Sequence, residues 1–285
     1  MVCLLDRRQI YTSPRRLQAA AACGMMTRLM KSCRCILACL GLLAGAGANS
    51  AQALPAERME YDITWVGISV GTMTIQSDTN EAGHLVRSLR MWNRPWVALV
   101  YPVDTTITCT IEPSAEGPRH TIVKKVSEKD FQQDDTLVLW PDAGRAVWSN
   151  SLKRITHRAL VPKGSRDLVS FFFDLRDAIS GGPLHLGGNY QLVMDGAIHD
   201  LEIKIGEAKT IRTAFGRLEA VPVEAQSKSP TLFSRNRPKS VWVATAKPAV
   251  VFADVESRFG PVRATLVKWE TDGKPVDWKE TAPKR

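Results

Sequence analysis

The chain has 285 residues, of which 44% are hydrophobic and 24% charged, and its formal net charge is +9. Such a composition is ordinary for a globular protein and allows a sizeable core. The positive charge is concentrated at the amino terminus: residues 1–53 hold seven of the 38 basic and one of the 29 acidic side chains, which leaves a balance of +3 for the rest. A remainder so close to neutral excludes an electrostatic argument for nucleic-acid binding.

The first 53 residues have the pattern of a Sec signal peptide. Three basic residues follow Met25 and Met26, an apolar run occupies residues 35–44, and Ala51-Gln52-Ala53 resembles a signal-peptidase site. The apolar run is shorter than the roughly 20 residues of a membrane span. We therefore expect cleavage after Ala53 and export to the periplasm, with translation starting at Met25 or Met26.

Two other export signals are alternatives to this interpretation. Arg15-Arg16 could belong to a twin-arginine signal, although only a weak apolar stretch and a second basic cluster follow it. The stretch Ile36-Leu37-Ala38-Cys39 could be a lipobox, although it lies at the front of the apolar run instead of its end. Both fit the pattern less well than a Sec signal.

Cysteine usage predicts a protein without disulfides. Five of the six cysteines lie within residues 1–53, which leaves Cys109 alone. A lone thiol forms no intramolecular disulfide, so the core itself must stabilise the remaining chain. We expect a single β-rich domain over residues 54–270 and a polar, frayed tail over 271–285. No other segment approaches the length of a transmembrane helix, so no integral span is expected after signal cleavage.

Short runs of alternating apolar and polar residues predict β-strands along the whole domain. Tyr61, Ile63 and Trp65 share one strand face, and Gly67 and Gly71 then mark a bulge, bend or hairpin. The other candidate strands start at residue 84 or lie at 104–113, 121–127, 136–140, 145–148, 155–160, 190–194, 201–205, 209–213, 217–226, 241–245, 250–256 and 261–270.

Two features of these strands bear on the fold. In the clearest strand, 104–113, Cys109 shares a face with two isoleucines, which predicts a buried structural thiol. Asp195-Gly196 is the best two-residue hairpin signal in the chain. With more than ten strands and almost no β–α alternation, we predict a single curved antiparallel sheet that forms a half-barrel, a barrel or a sandwich-like structure.

One amphipathic helix is predicted around residues 166–179. Apolar side chains recur there at helical spacing, and the expected polar face consists of Ser170, Asp174 and Asp177. Ser165 or Asp167 can cap its start, and Gly181-Gly182-Pro183 ends it. Because leaving three adjacent phenylalanines in water costs about 2–3 kcal/mol each, we expect this helix to pack on the sheet as core, with ligand gating as the alternative. A second short helix is predicted in the stretch RPWVALVYPV, which begins at Arg94.

The sequence beyond residue 53 contains none of the common motifs for nucleotide binding, zinc proteolysis or serine hydrolysis. Its five histidines are dispersed, so any metal site would have to be assembled by the fold; they are His84, His120, His157, His185 and His199. We accordingly assign no catalytic, cofactor-binding or metal-binding residue from the sequence.

Several weak candidates for chemistry can nevertheless be written down. Ser170, His157 and Asp167 could form a hydrolytic triad, and Cys109 could act as a nucleophile. Asp134-Asp135 and the pair Asp174 and Asp177 could be paired carboxylates, although solvation is the commoner role of such pairs.

Eight tryptophans could form a carbohydrate or lipid platform, but large aromatic residues also suit strands and bury well. Among them, Trp92 and Trp96, which flank Asn93-Arg94-Pro95, are expected to be exposed.

The order of several segments resembles an exported bacterial family known as domain of unknown function 3108. The similarity spans about residues 59–269, and it is carried by YDITWVGISVGTMTI, YPVDTTIT, RDLVSFFFDLRDA, IRTAFGRLEAVPV and the closing stretch from VWVATAKP to LVKWE. Family members commonly have an acidic residue shortly after the closing tryptophan, whereas Trp242 is followed here by Ala244-Thr245-Ala246-Lys247. The resemblance implies an exported β-rich envelope protein and no established reaction.

Together, these patterns predict a non-catalytic periplasmic protein of the cell envelope. We expect the concave side of its sheet to bind an apolar or amphipathic molecule such as a lipid or glycan, or else an envelope protein. The alternative is an envelope hydrolase whose site gathers His157, His185 or His199 beside a carboxylate. Neither interpretation calls for a cofactor or for nucleic acid.

Overall fold

The computed structural model describes residues 54–180, 188–227, 236–257 and 260–278. The predicted signal peptide, the glycine stop after the helix and His185 lie outside these residues. Within them, the chain forms two helices, α1 Pro95–Ala98 and α2 Leu168–Ser180, and sixteen strands. The first eight strands are β1 Glu57–Trp65, β2 Ile68–Thr79, β3 Leu85–Asn93, β4 Val103–Glu112, β5 Arg119–Glu128, β6 Phe131–Trp140, β7 Arg145–Asn150 and β8 Ile155–Leu160. The others are β9 Gly188–Met194, β10 Ala197–Ile205, β11 Lys209–Thr213, β12 Gly216–Ser227, β13 Asn236–Ala244, β14 Val250–Ser257, β15 Gly260–Thr271 and β16 Lys274–Pro275.

All of these strands join one antiparallel sheet. Its order is β8-β7-β6-β5-β4-β3-β2-β1-β15-β14-β13-β12-β10-β9, with β11 beside β12 and β16 beside β15. The strands β1 to β8 thus form a meander in which each strand pairs with the next along the chain. The predicted fold class is confirmed: the sheet is curved and does not close, so β8 and β9 remain its edges.

The backbone at Arg166 covers part of the β9 edge. Its N–H donates to the carbonyl of Gln191 at 2.8 Å, and the N–H of Val193 donates to the carbonyl of Arg166 at 2.8 Å. These bonds satisfy edge groups that would otherwise be left unpaired. They also hold the start of α2 beside β9.

Helix α2 packs into the core with its apolar face inward, as predicted, and the buried face also includes Ser170. Phe173 is 1% exposed, and Val169 and Phe171 are also buried, whereas Phe172 is only partly buried. Ser170, which was expected on the polar face, is buried as well, so that expectation was wrong. Helix α2 contacts β3, β4 and β9, so more of its surface is covered than one apolar face, and Ser170 lies within the covered part.

Two arginines flank the most deeply buried phenylalanine. The guanidinium carbons of Arg87 and Arg176 lie 4.5 and 5.0 Å from the centroid of the Phe173 ring. Arg176 also forms an ion pair with Glu57 on β1. These contacts fix α2 against the first strand as well as against the middle of the sheet.

The glycines singled out in the sequence mark a hairpin and a bulge. Val66 and Gly67 both have positive φ angles, +49° and +82°, and form the two-residue turn between β1 and β2. Asp195 and Gly196 do the same between β9 and β10, which confirms the predicted hairpin. At Gly71, where the β1–β2 register shifts, an added Cβ would lie 2.8 Å from the carbonyl oxygen of Trp92.

The packed chain continues past residue 270, where the frayed tail was expected to begin. Strand β15 extends to Thr271 and β16 pairs with it. Trp278 is buried, and its ring lies 4.8 Å from that of Phe215 and 5.4 Å from that of Trp269. Among the described residues, neither helix is long and apolar enough to cross a membrane.

Candidate functional site

Four polar side chains meet in the interior where α2 begins, and we call them the buried cluster: Cys109 on β4, His120 on β5, Asp167 immediately before α2, and Ser170 in its first turn. All are buried, with exposures from 0 to 7%. Strand alternation explains two of them, because Cys109 shares the inward face of β4 with Ile107, and His120 shares that of β5 with Ile122. Since β4 and β5 are neighbours, their inward side chains come together beneath the helix.

Asp167 organises the buried cluster. Its Oδ1 accepts the backbone N–H groups of Val169 and Ser170 at 3.0 and 2.9 Å, so it is the N-cap of α2. Its Oδ2 lies 3.1 Å from His120 Nδ1 and 3.7 Å from Cys109 Sγ. Asp167, one of the two capping residues predicted from the sequence, is thereby confirmed.

The carboxyl group of Asp167 is ionised despite its burial. Desolvation alone would raise its pKa, but the hydrogen bonds from His120 and Ser170 outweigh it and hold the pKa below its ordinary value. The neighbouring thiol behaves oppositely, because burial and the charge of Asp167 raise the pKa of Cys109 far above its usual range. At neutral pH this cysteine is therefore a protonated thiol and a poor nucleophile.

The arrangement differs from a hydrolytic triad in one specific respect. Ser170 Oγ lies 3.3 Å from His120 Nδ1, the same nitrogen that contacts Asp167. In a serine hydrolase the nucleophile and the acid contact opposite nitrogens of the histidine. The candidate triad considered from the sequence had His157 in this position, but His157 lies on β8, with its ring stacked 5.6 Å from that of Trp148.

A second group of polar side chains lies beside a small cavity. Lys124 on β5 forms an ion pair with Asp195 at 2.9 Å, and both side chains are 8% exposed. Gln133 donates to Asp195 at 3.0 Å and also contacts Asp135. The cavity of about 30 Å³ is lined by these charged groups and by apolar residues, and it reaches Asp167 of the buried cluster. A space of this size has room for a water molecule or a single ion.

The proposed paired carboxylates do not act as pairs. Asp134 and Asp135 lie on opposite faces of β6: Asp135 is buried and accepts a hydrogen bond from Trp148 Nε1 at 3.2 Å, whereas Asp134 is partly exposed. On α2, Asp174 contacts Arg166 and Asp177 contacts Arg176 at the solvent side. Both sets have structural or solvated roles.

Exposed apolar side chains are concentrated at one end of the meander. We call this the apolar end; it consists of the β1–β2, β3–β4, β5–β6 and β7–β8 connections and their flanking residues. Hydrogen bonds tie some of these segments to neighbouring ones: Arg94 N donates to Val70 O at 2.9 Å, and Lys129 N donates to Pro102 O at 3.0 Å. Of the twelve large hydrophobic side chains that are exposed within the described residues, eight lie here, namely Trp65, Val66, Ile68, Trp96, Leu99, Val100, Tyr101 and Leu152.

The β3–β4 connection contributes four of these eight side chains. Its predicted short helix is confirmed as α1, a single turn in which no residue is buried. Trp96 is 56% exposed and Leu99 is 88% exposed, which confirms the expectation for Trp96. Trp92 is only partly exposed and has the guanidinium of Arg90 5.2 Å from its ring centroid.

Sequence reasoning missed two components of these sites. His120 could have been found from its spacing to Ile122, which places both on the inward face of a strand. The run Leu99-Val100-Tyr101 could have been recognised as apolar residues in a turn-rich segment that precedes a strand.

Comparisons with known proteins agree with the fold. A β-barrel-like protein of domain of unknown function DUF1849 from Brucella abortus, solved as a crystal structure, is similar over 76% of this chain and 98% of its own, with a TM-score of 0.53 and 13% sequence identity. At this identity the similarity supports the fold alone. Comparison with curated proteins gives no match. The model of the family described as protein of unknown function DUF3108 matches residues 60–267. The chain, which carries the family's pattern across its strands and α2, therefore belongs to the DUF3108 family.

Proposed function

We propose that this protein is a non-catalytic, exported protein of the cell envelope that binds the surface of anionic phospholipid bilayers through its apolar end. The observation that carries the proposal is the concentration of exposed apolar side chains there, Trp96 and Leu99 above all. Large groups of exposed apolar side chains, especially beside polar residues, mark candidate sites for membrane or protein binding. Tryptophan and tyrosine also suit the boundary between headgroups and acyl chains, since each has an apolar ring and a polar group.

Charge at the apolar end favours an anionic surface. Four basic residues lie in its connections, Arg94, Lys129, Lys153 and Arg154, and all are exposed. Asp130 is the exposed acidic residue of the same connections, and Asp62 pairs with Arg94 at 3.0 Å. A basic residue near an anionic membrane contributes about 1 kcal/mol to binding. Such apolar and basic groups together are typical of proteins that rest on a membrane without spanning it.

The packing around α2 supports this choice over a ligand held against that helix. Among the described residues, Phe171 and Phe173 of α2 are buried, and the cavity beside the helix measures about 30 Å³. Pockets for lipid-sized ligands are about ten times larger or more. A surface-binding mode requires no such pocket.

Vesicle flotation tests the proposal with a matched pair of variants. The protein should float with vesicles of phosphatidylglycerol and phosphatidylethanolamine, and more weakly with phosphatidylcholine vesicles. Leu99→Ser should lower the partition coefficient about tenfold, because the buried area of one leucine is lost. Leu160→Ser is the control, since Leu160 is 86% exposed but lies at the other end of β8. Absence of flotation, or equal losses in both variants, would refute membrane binding by this surface.

Export is tested separately by fractionation. Cells that express the full chain should release it with the periplasm, and amino-terminal sequencing should begin at Leu54. A protein found in the cytosol with residues 1–53 attached would contradict the proposed location.

A further inference from the structure

We propose that Cys109, His120 and Asp167 bind a divalent transition metal of the zinc class, with the hydroxyl of Ser170 at the fourth position. One ligand atom from each of the three residues lies within 4.8 Å of the others. Thiolate, imidazole and carboxylate are the three donor types that zinc takes from proteins. The inference concerns the buried cluster and goes beyond the membrane-binding proposal.

At least four of the six distances among these atoms are close to the edges of a zinc tetrahedron. Zinc bonds of ordinary length give edges of about 3.3–3.6 Å between tetrahedral ligands. Here, Asp167 Oδ2 and Ser170 Oγ lie 3.1 and 3.3 Å from His120 Nδ1. The same two oxygens each lie 3.7 Å from Cys109 Sγ. These four distances differ from the tetrahedral edges by only a few tenths of an ångström.

The charges of the site would balance around a divalent ion. Ionised Asp167 and the thiolate of Cys109 contribute two negative charges, while neutral His120 and Ser170 contribute none. A divalent cation makes the buried group neutral, which reduces the cost of placing it in an apolar interior. Binding breaks the S–H bond of Cys109 and releases that proton to solvent, and no electron is transferred.

The second shell holds the ligands in place. The other oxygen of Asp167 accepts two backbone N–H groups at the start of α2 and so fixes the carboxylate. Cys109 and His120 are held by adjacent paired strands. Asp167 also lines the cavity of about 30 Å³, together with Lys124 and Asp195.

Cobalt titration tests the site directly. The protein used is the full chain with Cys3, Cys23, Cys33, Cys35 and Cys39 each replaced by serine, so that Cys109 is the remaining thiol. After removal of metal, added Co²⁺ should bind at one equivalent and give a thiolate-to-cobalt charge-transfer band together with the visible bands of tetrahedral cobalt. Zn²⁺ should then displace the cobalt and abolish both.

Variants separate this site from adventitious binding. Cys109→Ser should abolish the charge-transfer band, and His120→Asn should weaken binding at least tenfold. His157→Asn is the matched control and should bind like the parent, because that imidazole lies on β8 away from the buried cluster. If the folded parent protein binds no cobalt, or binds it without the charge-transfer band, the site is a hydrogen-bonded cap and the proposal is wrong. That readout needs only the parent protein, so unfolding of a variant does not obscure it.

Discussion

The buried cluster and the apolar end both depart from the usual distribution of side chains, in which polar groups face water and apolar groups are buried. They do so in opposite ways. In the first, four polar groups lie in the interior, yet each has hydrogen-bonding partners within the chain. In the second, large apolar groups face water at the connections of the meander. Polar groups that are satisfied internally contribute to stability, whereas exposed apolar groups contribute little to it. The comparison therefore separates a region that holds the fold from a region that is free to bind something else.

The opposite end of the meander strengthens this contrast. Its connections over residues 80–84, 113–118 and 141–144 contain no large hydrophobic residue. They consist of turn residues and charged groups, as expected for hairpins in water. Because both ends join strands of the same sheet, the fold itself does not require one of them to be apolar.

Removal of the central carboxylate should have the largest effect on stability. Asp167→Ala deletes the helix cap and leaves His120 without its buried partner, so we expect a loss of about 3–5 kcal/mol in the free energy of unfolding. Urea denaturation monitored by circular dichroism measures it. Asp177→Ala on the exposed side of the same helix should cost less than about 1 kcal/mol. Equal costs for the two variants would mean that the buried cluster does not hold α2 in place.

A more conservative change at Asp167 should separate the stability lost with the helix cap from the stability lost with the charge. Asp167→Asn keeps a good N-cap residue but removes the charge that faces His120. We expect a loss of about 1–3 kcal/mol, smaller than that of the alanine variant. The same urea experiment distinguishes the two, and an asparagine variant as unstable as the alanine variant would assign the whole effect to the contact between the Asp167 carboxylate and His120.

The free energy of unfolding should depend on pH through two buried groups, Asp167 and His199, which act in different pH ranges. Asp167 has a lowered pKa in the folded protein, so its stabilising contribution is complete above about pH 4, its unfolded pKa, and is lost as the pH falls through the folded value. Burial also lowers the pKa of His199, so the unfolded chain takes up a proton first as the pH falls below about 6.5. Stability should therefore decline towards acid in both ranges.

Two variants show which residue causes the loss of stability in each pH range. In urea titrations from pH 8 to pH 3, His199→Asn should flatten the decline that begins near pH 6.5. Asp167→Asn should flatten the decline below about pH 4. A wild-type stability that rises between pH 6.5 and pH 5 would contradict the assignment for His199.

The sheet could be predicted from the sequence because its signals are local. Alternation, hairpin residues and glycines identified the strands, and each predicted strand overlaps an observed one. Boundaries were less accurate where polar residues interrupt the alternation: β6 begins at Phe131, whereas its predicted start was Thr136. The four polar residues between them hide the apolar pattern.

The buried cluster could not be predicted because it depends on contacts between distant segments. Asp167 and Ser170 were both recognised near the helix start, but their histidine partner lies 47 residues from Asp167 in the chain. Only the pairing of β4 with β5 and the packing of α2 against β4 bring His120 to that position. Spacing within a single segment does not contain this information, which is why His157 was an equally good candidate on sequence grounds.

Changes at the apolar end should have the smallest effect on stability. The double variant Leu99→Ser and Val100→Ser should keep the free energy of unfolding within about 0.5 kcal/mol of the wild type, because both side chains are exposed in the folded protein and in the unfolded chain alike. The same protein should show a loss in vesicle flotation that exceeds that of Leu99→Ser alone. Urea denaturation and flotation of one preparation measure both. A loss of more than about 2 kcal/mol would mean that these residues pack within the folded chain, and the apolar end would then belong with the buried cluster among the parts that hold the fold.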